Sequence, residues 1–179
     1  MRVSRSTVLF GLALLLAIAA LAPAAAGAVG TKQRYSTHTA SAILVNADGE
    51  RVGTAQFTQR RDGKVHVLVT VVGLTPGLHG IHVHAVGACT PSFAAAGGHF
   101  NPDGLHHGNH PGDLGNLRVP ESGRAQLSVI TGNFTLSAGH YSLFDFDGSA
   151  LVIHAGEDDL VTDPAGNSGA RVVCGVIQD

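Results

Sequence analysis

Apolar and polar residues alternate in short runs along most of the chain after residue 38. Valines at positions 65, 67, 69 and 71 fall on every second residue, which would place them on one face of a β-strand. Turns containing Gly and Asp separate such runs, and no convincing helical period or internal repeat occurs. Eight segments fit the pattern: 38–45, 51–59, 65–71, 78–86, 116–119, 125–130, 150–154 and 171–177. The pattern predicts an all-β domain, an eight-stranded antiparallel sandwich or barrel.

Two long segments, 87–115 and 155–170, interrupt this pattern. The first is rich in Gly, Pro and His, and the second in Gly and Asp. A structureless segment of such length inside a compact domain is usually functional. A bound metal can supply order that a hydrophobic core cannot, so we expect two long functional loops, the first of them ordered by metal.

The first residues have the composition of an export signal. Arg2 and Arg5 precede an apolar run over 8–21, and small residues over 24–28 offer a cleavage site. We therefore expect a signal peptide at 1–28, a flexible lead-in at 29–37 and one domain at 38–179. An uncleaved membrane anchor is the alternative for the leader, but no later apolar stretch is long enough to span a bilayer. The mature protein is expected in a periplasm, on a cell surface or outside the cell.

Net charge and cysteine content limit the expected class of partner and predict a disulfide. Removing residues 1–28 takes away two arginines and no acids, which moves the formal charge from −2 to −4 and argues against a nucleic-acid partner. The chain has two cysteines, Cys89 and Cys174, and an exported chain with two cysteines should close one disulfide. Asn133 begins a glycosylation sequon that matters only in a eukaryotic secretory pathway.

Histidines carry the candidate chemistry. His82 and His84 are two apart in a predicted strand and so share a face. Four more candidate ligands lie in the first long loop, and His154 ends a later strand. A cluster rich in imidazole and poor in acids suits copper or zinc better than calcium or magnesium. The alternatives are a solvated loop with chance histidines and, for His154, a core histidine. The loop candidates are His99, His107, His110 and Asp113.

These runs resemble a known family. The run GLHGIHVH at 77–84 resembles the signature of the Cu/Zn superoxide dismutases. GGHFNP at 97–102, HPGDLGN at 110–116, LVIH at 151–154 and GARVVCGVI at 169–177 resemble its later blocks, in order. The resemblance covers roughly residues 38–178 and implies a Greek-key barrel.

The resemblance also implies two metal sites that share His99 as a bridging imidazolate. Copper would be held by His82, His84, His99 and His154, and zinc by His99, His107, His110 and Asp113. His106 lies beside His107, but the spacing from His99 favours His107 as the ligand. Asp158 would link His82 to His107 from behind the metals, where a carboxylate fixes ring orientation. The alternative for Asp158 is a solvated acid.

The activity implied is disproportionation of superoxide by alternating Cu(II) and Cu(I), with a structural zinc. His99 would carry a proton, and Arg171 would attract and orient the anion. A structural salt bridge is the alternative for Arg171. Cys89 and Cys174 match the family's disulfide. The expected partner is the superoxide anion, and a metallochaperone and a homodimer are both compatible with the family.

The chain departs from the family pattern in the segment that precedes Arg171. The segment 159–171 is short and has no Lys or Arg before Arg171, and Ala165 replaces a usual threonine, so this segment supplies no further cation for long-range steering of the anion. A copper-binding or copper-buffering protein of the same fold is the main alternative function. A copper-only relative would lack the zinc ligands, and a zinc hydratase would work with zinc alone.

Overall fold

The computed structural model describes residues 38–179 as an antiparallel sheet of eight strands. The predicted all-β fold is therefore confirmed, while the predicted signal peptide and lead-in lie outside the described residues. No helix within the described range is long and apolar enough to cross a membrane. The strands are β1 (Thr39–Asn46), β2 (Arg51–Gln59), β3 (Val65–Val72), β4 (Gly77–His84), β5 (Asp113–Val119), β6 (Arg124–Thr131), β7 (Ala150–His154) and β8 (Arg171–Val176), with a 3-10 helix at Phe93–Ala96.

The strands form a nearly closed Greek-key barrel. Hydrogen-bonded neighbours follow the order β5-β4-β7-β8-β1-β2-β3-β6, and the edge strands β5 and β6 pack against each other. The connections from β3 to β4 and from β6 to β7 join strands that are not neighbours, which is the Greek-key feature. As a result β4 and β7, which are far apart in sequence, are direct antiparallel partners.

Side chains from all eight strands fill the barrel. The valines at 65, 67, 69 and 71 are fully buried, as their alternation predicts, and Phe57 and Leu44 face them from β2 and β1. Each fully buried aliphatic or aromatic side chain contributes about 1.5–3 kcal/mol through apolar burial. The barrel therefore has an apolar core of its own, inside the sheet.

Two predicted boundaries were wrong by a few residues. β4 ends at His84 rather than at 86, because the amides of Ala85 and Val86 donate to the loop carbonyls of Gly98 and Ala96. β5 begins at Asp113 rather than at 116, because Asp113 pairs with His82 across a register shift. The first loop is therefore 85–112, and the second is 155–170 as predicted.

Candidate metal centre

The histidines of β4 and β7 lie on the outer face of the barrel. Ile81 and Val83 point into the core, so His82 and His84 point outward. Both are nonetheless 0% exposed. β7 pairs with β4 and places His154 beside them, with 5.6 Å between the ring centres of His84 and His154. The two long loops cover this face and turn it into a buried site.

A glycine on β4 lets the second loop come close. The amide of Gly80 donates to the carbonyl of Gly156 at 2.8 Å. A Cβ at residue 80 would come within 2.8 Å of the Ser168 Cβ and 3.1 Å of the Asp158 Cβ. The missing side chain therefore makes room for the loop that carries Asp158.

The first ligand group consists of four histidines whose ring nitrogens lie within 4.8 Å of one another. The Nδ1–H of His84 donates to the Gly97 carbonyl at 2.9 Å, and that of His154 donates to the Gly169 carbonyl at 3.1 Å. A carbonyl only accepts, so each Nε2 carries a lone pair, and the two Nε2 atoms are 3.4 Å apart. Two lone pairs facing each other suit a shared cation. The group is His82, His84, His99 and His154.

The second group lies on the other side of His99. It holds His99, His107, His110 and Asp113, again with ligand atoms within 4.8 Å. Asp113 Oδ2 accepts the backbone amides of Gly108 and His110 at 2.9 and 3.1 Å, which fixes the carboxylate against the first loop. Three imidazoles and one carboxylate are a ligand set that zinc takes.

His99 belongs to both groups and stands between them. Its Nδ1 lies 2.8 Å from Asp113 Oδ1 and 3.3 Å from His110 Nδ1. Its Nε2 is buried without a hydrogen-bond partner among the described residues. The ring stacks on His82 with 3.9 Å between ring centres. Each nitrogen of His99 therefore faces a different ligand group.

A single carboxylate supports both groups from behind. Asp158 Oδ2 accepts from His82 Nε2 at 2.7 Å, and Oδ1 accepts from His107 Nε2 at 2.8 Å. Asp158 is 1% exposed, so the alternative of a solvated acid does not describe it. Its backbone is held by Asn116, whose side chain exchanges two hydrogen bonds of 2.8 Å with the Asp158 amide and carbonyl.

The electrostatics favour neutral imidazoles at His82, His84 and His154 and an ionised carboxylate at Asp113. Burial lowers the pKa of His82 to about 3, aided by the nearby charge of His99 and opposed by Asp158. Burial also lowers the pKa of His84 to about 2, and the pKa of His154 falls for the same reason. For Asp113, burial raises the pKa, but the hydrogen bond from His99 and neighbouring charges outweigh it and leave the pKa below its ordinary value. Metals bind neutral imidazoles and ionised carboxylates, so these side chains are in the form that a metal requires.

A cavity of about 390 Å³ opens over the shared histidine. It is lined by His84, His99 and His154 from the first group and by Arg171. The Nη1 and Nη2 of Arg171 donate to the carbonyls of Phe93 and Gly97 at 2.7 and 2.6 Å. Arg171 makes no salt bridge among the described residues, so the alternative of a structural salt bridge does not describe it.

Ala165 and His106, which the sequence places near the metal ligands, line the rim of the cavity. The side chain of His106 is 91% exposed, and its Nδ1 lies 2.6 Å from Asp163 Oδ2. His106 belongs to neither ligand group, whereas His107 does.

The predicted disulfide between Cys89 and Cys174 is confirmed, with 5.9 Å between the two Cα atoms. It ties the first loop to β8, three residues from Arg171. Next to it, Phe93 packs against a small cluster outside the barrel formed by Ala96, Ala150, Val152 and Cys174. The disulfide therefore anchors the loop whose carbonyls hold Arg171.

Residues 51–177 match the family described as copper/zinc superoxide dismutase. The chain belongs to this family. It is 40% identical to a Cu-Zn superoxide dismutase 2 of Aquifex aeolicus over 148 residues, which cover 78% of this chain and 86% of that protein. It is also 40% identical to a Cu-Zn superoxide dismutase 2 of Mesembryanthemum crystallinum over 146 residues, 75% of this chain and 91% of that one.

Solved structures agree on the fold of this family member. A double mutant of a SOD-like protein from Bacillus subtilis superposes with a TM-score of 0.74 at 36% identity, covering 78% of this chain and 97% of that one. The unaltered SOD-like protein gives a TM-score of 0.73, also at 36% identity, over 76% of this chain and 96% of that one. Membership places the chain among oxidoreductases whose metals are copper and zinc.

The described residues fit those two metals. Three buried ring nitrogens have no hydrogen-bond partner: His82 Nδ1, His99 Nε2 and His107 Nδ1. Leaving buried polar atoms unpaired costs about 1–3 kcal/mol each, so such atoms need a partner. All three lie on residues of the two ligand groups, and His99 belongs to both. The first group is all imidazole, which copper accepts, and the second adds a carboxylate, which zinc also accepts.

Sequence patterns missed several supporting residues. Asn116 holds Asp158, Phe93 holds Arg171 through its carbonyl, and Asp163 ties the two loops together by accepting the His107 amide at 2.6 Å. No spacing rule singles these residues out. The asparagine lies within the resembling run at 110–116, which is the one signal that could have drawn attention to it.

Proposed function

We propose that this protein disproportionates superoxide, converting two superoxide anions and two protons into O₂ and H₂O₂. The observation that carries the proposal is the position of His99. It is shared by two ligand groups and lies on the wall of a cavity that also holds a fixed guanidinium. Family membership supports the same activity, because the two relatives of this chain described above are named superoxide dismutases.

The two ligand groups would hold different metals. His82, His84, His99 and His154 would hold copper, and His99, His107, His110 and Asp113 would hold zinc. Copper bound there would supply one-electron redox chemistry, which zinc cannot. Zinc would then order the first loop and hold His99 in place.

His99 would deliver a proton at Nε2. That atom is buried, faces the first ligand group and has no other partner among the described residues. Its Nδ1 is engaged with Asp113 and lies near His110. The ring can therefore hold a proton at Nε2 while Nδ1 keeps it in position, and the reduced oxygen species in the cavity would take that proton.

Arg171 would bind and orient the anion. Its guanidinium lines the same cavity as three of the copper histidines. Two carbonyls fix its orientation and use only two of its five N–H donors. A fixed guanidinium with donors to spare is well suited to a small anion.

The deciding experiment measures superoxide removal by the domain loaded with copper and zinc, with both metals quantified. We expect rapid turnover at one copper and one zinc per chain. The zinc-only protein is the matched control and should be inactive. A fully loaded protein that binds copper but does not remove superoxide would establish copper binding or buffering instead.

We further propose that the protein works outside the cytoplasm. The disulfide supports this, because structural disulfides persist in oxidising compartments. We expect the protein in the periplasmic or extracellular fraction, beginning near residue 29. Cell fractionation and N-terminal sequencing test both points, and a full-length protein in the cytoplasm would contradict them.

A further inference from the structure

A carboxylate stands at the mouth of the cavity above His99. Asp163 lines this cavity, and its side chain is 49% exposed. Among the described residues that line the cavity, Asp163 and Arg171 are the two charged side chains besides the histidines. The rim therefore bears a negative charge in front of the positive charge that would bind an anion.

The structure holds this carboxylate in place. Asp163 Oδ1 accepts the backbone amide of His107 at 2.6 Å, and Oδ2 lies 2.6 Å from His106 Nδ1. Both contacts come from the first loop, whereas Asp163 belongs to the second. Its charge is therefore fixed at the junction of the two loops.

The surrounding sequence offers no cation to offset it. Neither 85–112 nor 155–170 contains a lysine or an arginine. The same two segments contain five acids: Asp103, Glu157, Asp158, Asp159 and Asp163. At pH 9 the Asp163 carboxylate is fully ionised.

We propose that Asp163 sets the charge selectivity of the cavity by opposing the entry of the small anions that Arg171 binds. This inference deepens the proposed function and rests on it, since superoxide is such an anion. A unit charge about 8 Å from a bound anion in water changes its affinity by about twofold to threefold. Salt at 1 M reduces the screening length to about 3 Å and should remove the effect.

The test compares Asp163→Asn with the parent protein, both loaded with copper and zinc, at pH 9. Asparagine can still accept the His107 amide through its oxygen, so the change removes mainly the charge. The probe is sodium azide, whose binding to the copper centre is titrated by absorbance at 10 mM and at 1 M ionic strength. We expect azide to bind Asp163→Asn about twofold to threefold more tightly at low salt and equally at high salt.

Glu157→Gln is the matched control. It removes the same charge from the same loop, but Glu157 is exposed and does not line the cavity. We expect its azide affinity to match that of the parent protein. Equal azide affinities for Asp163→Asn and Glu157→Gln, with both metals retained, would overturn the proposal.

A second variant covers the case in which Asp163→Asn loses zinc. Leu105 lines the same cavity and is 45% exposed, so Leu105→Lys adds a positive charge at the rim without touching the loop junction. It should tighten azide binding by a similar factor relative to Leu105→Gln, and no difference between those two would also overturn the proposal. Superoxide turnover is measured in parallel. Azide affinities that change as expected in a protein without turnover would reject the proposed function while supporting the role of Asp163.

Discussion

At four histidines of this centre, the nitrogen offered to a metal is decided by the hydrogen bond on the opposite side of the ring. His82 and His107 give their Nε2–H groups to Asp158, so their Nδ1 atoms are left for the metal. His84 gives its Nδ1–H to a backbone carbonyl, so its Nε2 is left. The family resemblance predicted which histidines meet and that Asp158 links His82 to His107. It did not predict the backbone carbonyls that orient His84 and His154, because these belong to distant loops.

Asp158→Asn should weaken zinc binding more than the substitution of any exposed acid in the same loop. The amide oxygen can accept from one imidazole, but the amide NH₂ then faces the N–H of the other. Losing such a supporting carboxylate typically costs 10–100-fold in metal affinity. Competition with a chromophoric zinc chelator measures the change. Glu157→Gln serves as the control, and zinc affinity equal in the two variants would contradict this role.

The metal-free protein should lose stability as the pH falls from 7 to 5. Burial holds the pKa values of His82 and His84 at about 3 and about 2, below the unfolded value near 6.5. In this range the unfolded state binds more protons than the folded state, so stability decreases as pH decreases, by at most about 1.4 kcal/mol per pH unit for each histidine. Urea unfolding at several pH values measures the slope. His84→Gln should reduce it, and a flat profile for the parent protein would contradict the prediction.

At the scale of the elements, the barrel and the loops are ordered by different means. The strands follow from alternation, and the sequence predicted all eight, with β4 and β5 wrong at one end. The loops have no such period. They are fixed by contacts such as the Asn116–Asp158 pair, which join segments over 40 residues apart. Contacts of that kind involve backbone groups that look alike at every position, so no pattern in the chain reveals them.

Gly166 should be the glycine least replaceable in the second loop. Its φ is +61°, and a Cβ there would overlap Asp158 Oδ1 and come within 2.6 Å of His107 Nε2. Gly166→Ala should therefore displace Asp158 and lower zinc content after purification. Gly63→Ala is the matched control, because Gly63 has a φ of +83° with nothing within 4 Å of its Cβ position. It should cost about 1 kcal/mol in stability and keep both metals. Equal metal content in the two variants, measured by elemental analysis, would refute the role of Gly166.

At the scale of the whole molecule, the core and the metal centre lie on opposite sides of one sheet. The valine face of β3 and the inward residues of β4 and β7 fill the barrel, while the histidines of the same two strands lie outside it. Family membership was predictable from five ordered runs of residues. The charge around the cavity was only partly predictable, because the sequence shows that cations are missing but not that Asp163 stands at the rim.

Removing the metals should loosen the loops and spare the barrel. The barrel residues bury their side chains without help from any ligand group, whereas 85–112 and 155–170 cover unpaired ring nitrogens. Hydrogen exchange before and after chelation should show faster exchange at 97–112 and 155–170, and little change in β1, β2 and β3. Uniformly faster exchange across all strands would mean that the metals hold the barrel as well.

The shared support at Asp158 has a consequence for how the protein acquires its metals. The carboxylate orients one ligand of each group, and His99 belongs to both, so binding at one site restricts groups that the other site also needs. Thermodynamic linkage then requires that zinc changes copper affinity by the same factor as copper changes zinc affinity. The two sites are therefore expected to fill cooperatively, and the supply of one metal to the cell would govern how much of the other this protein retains.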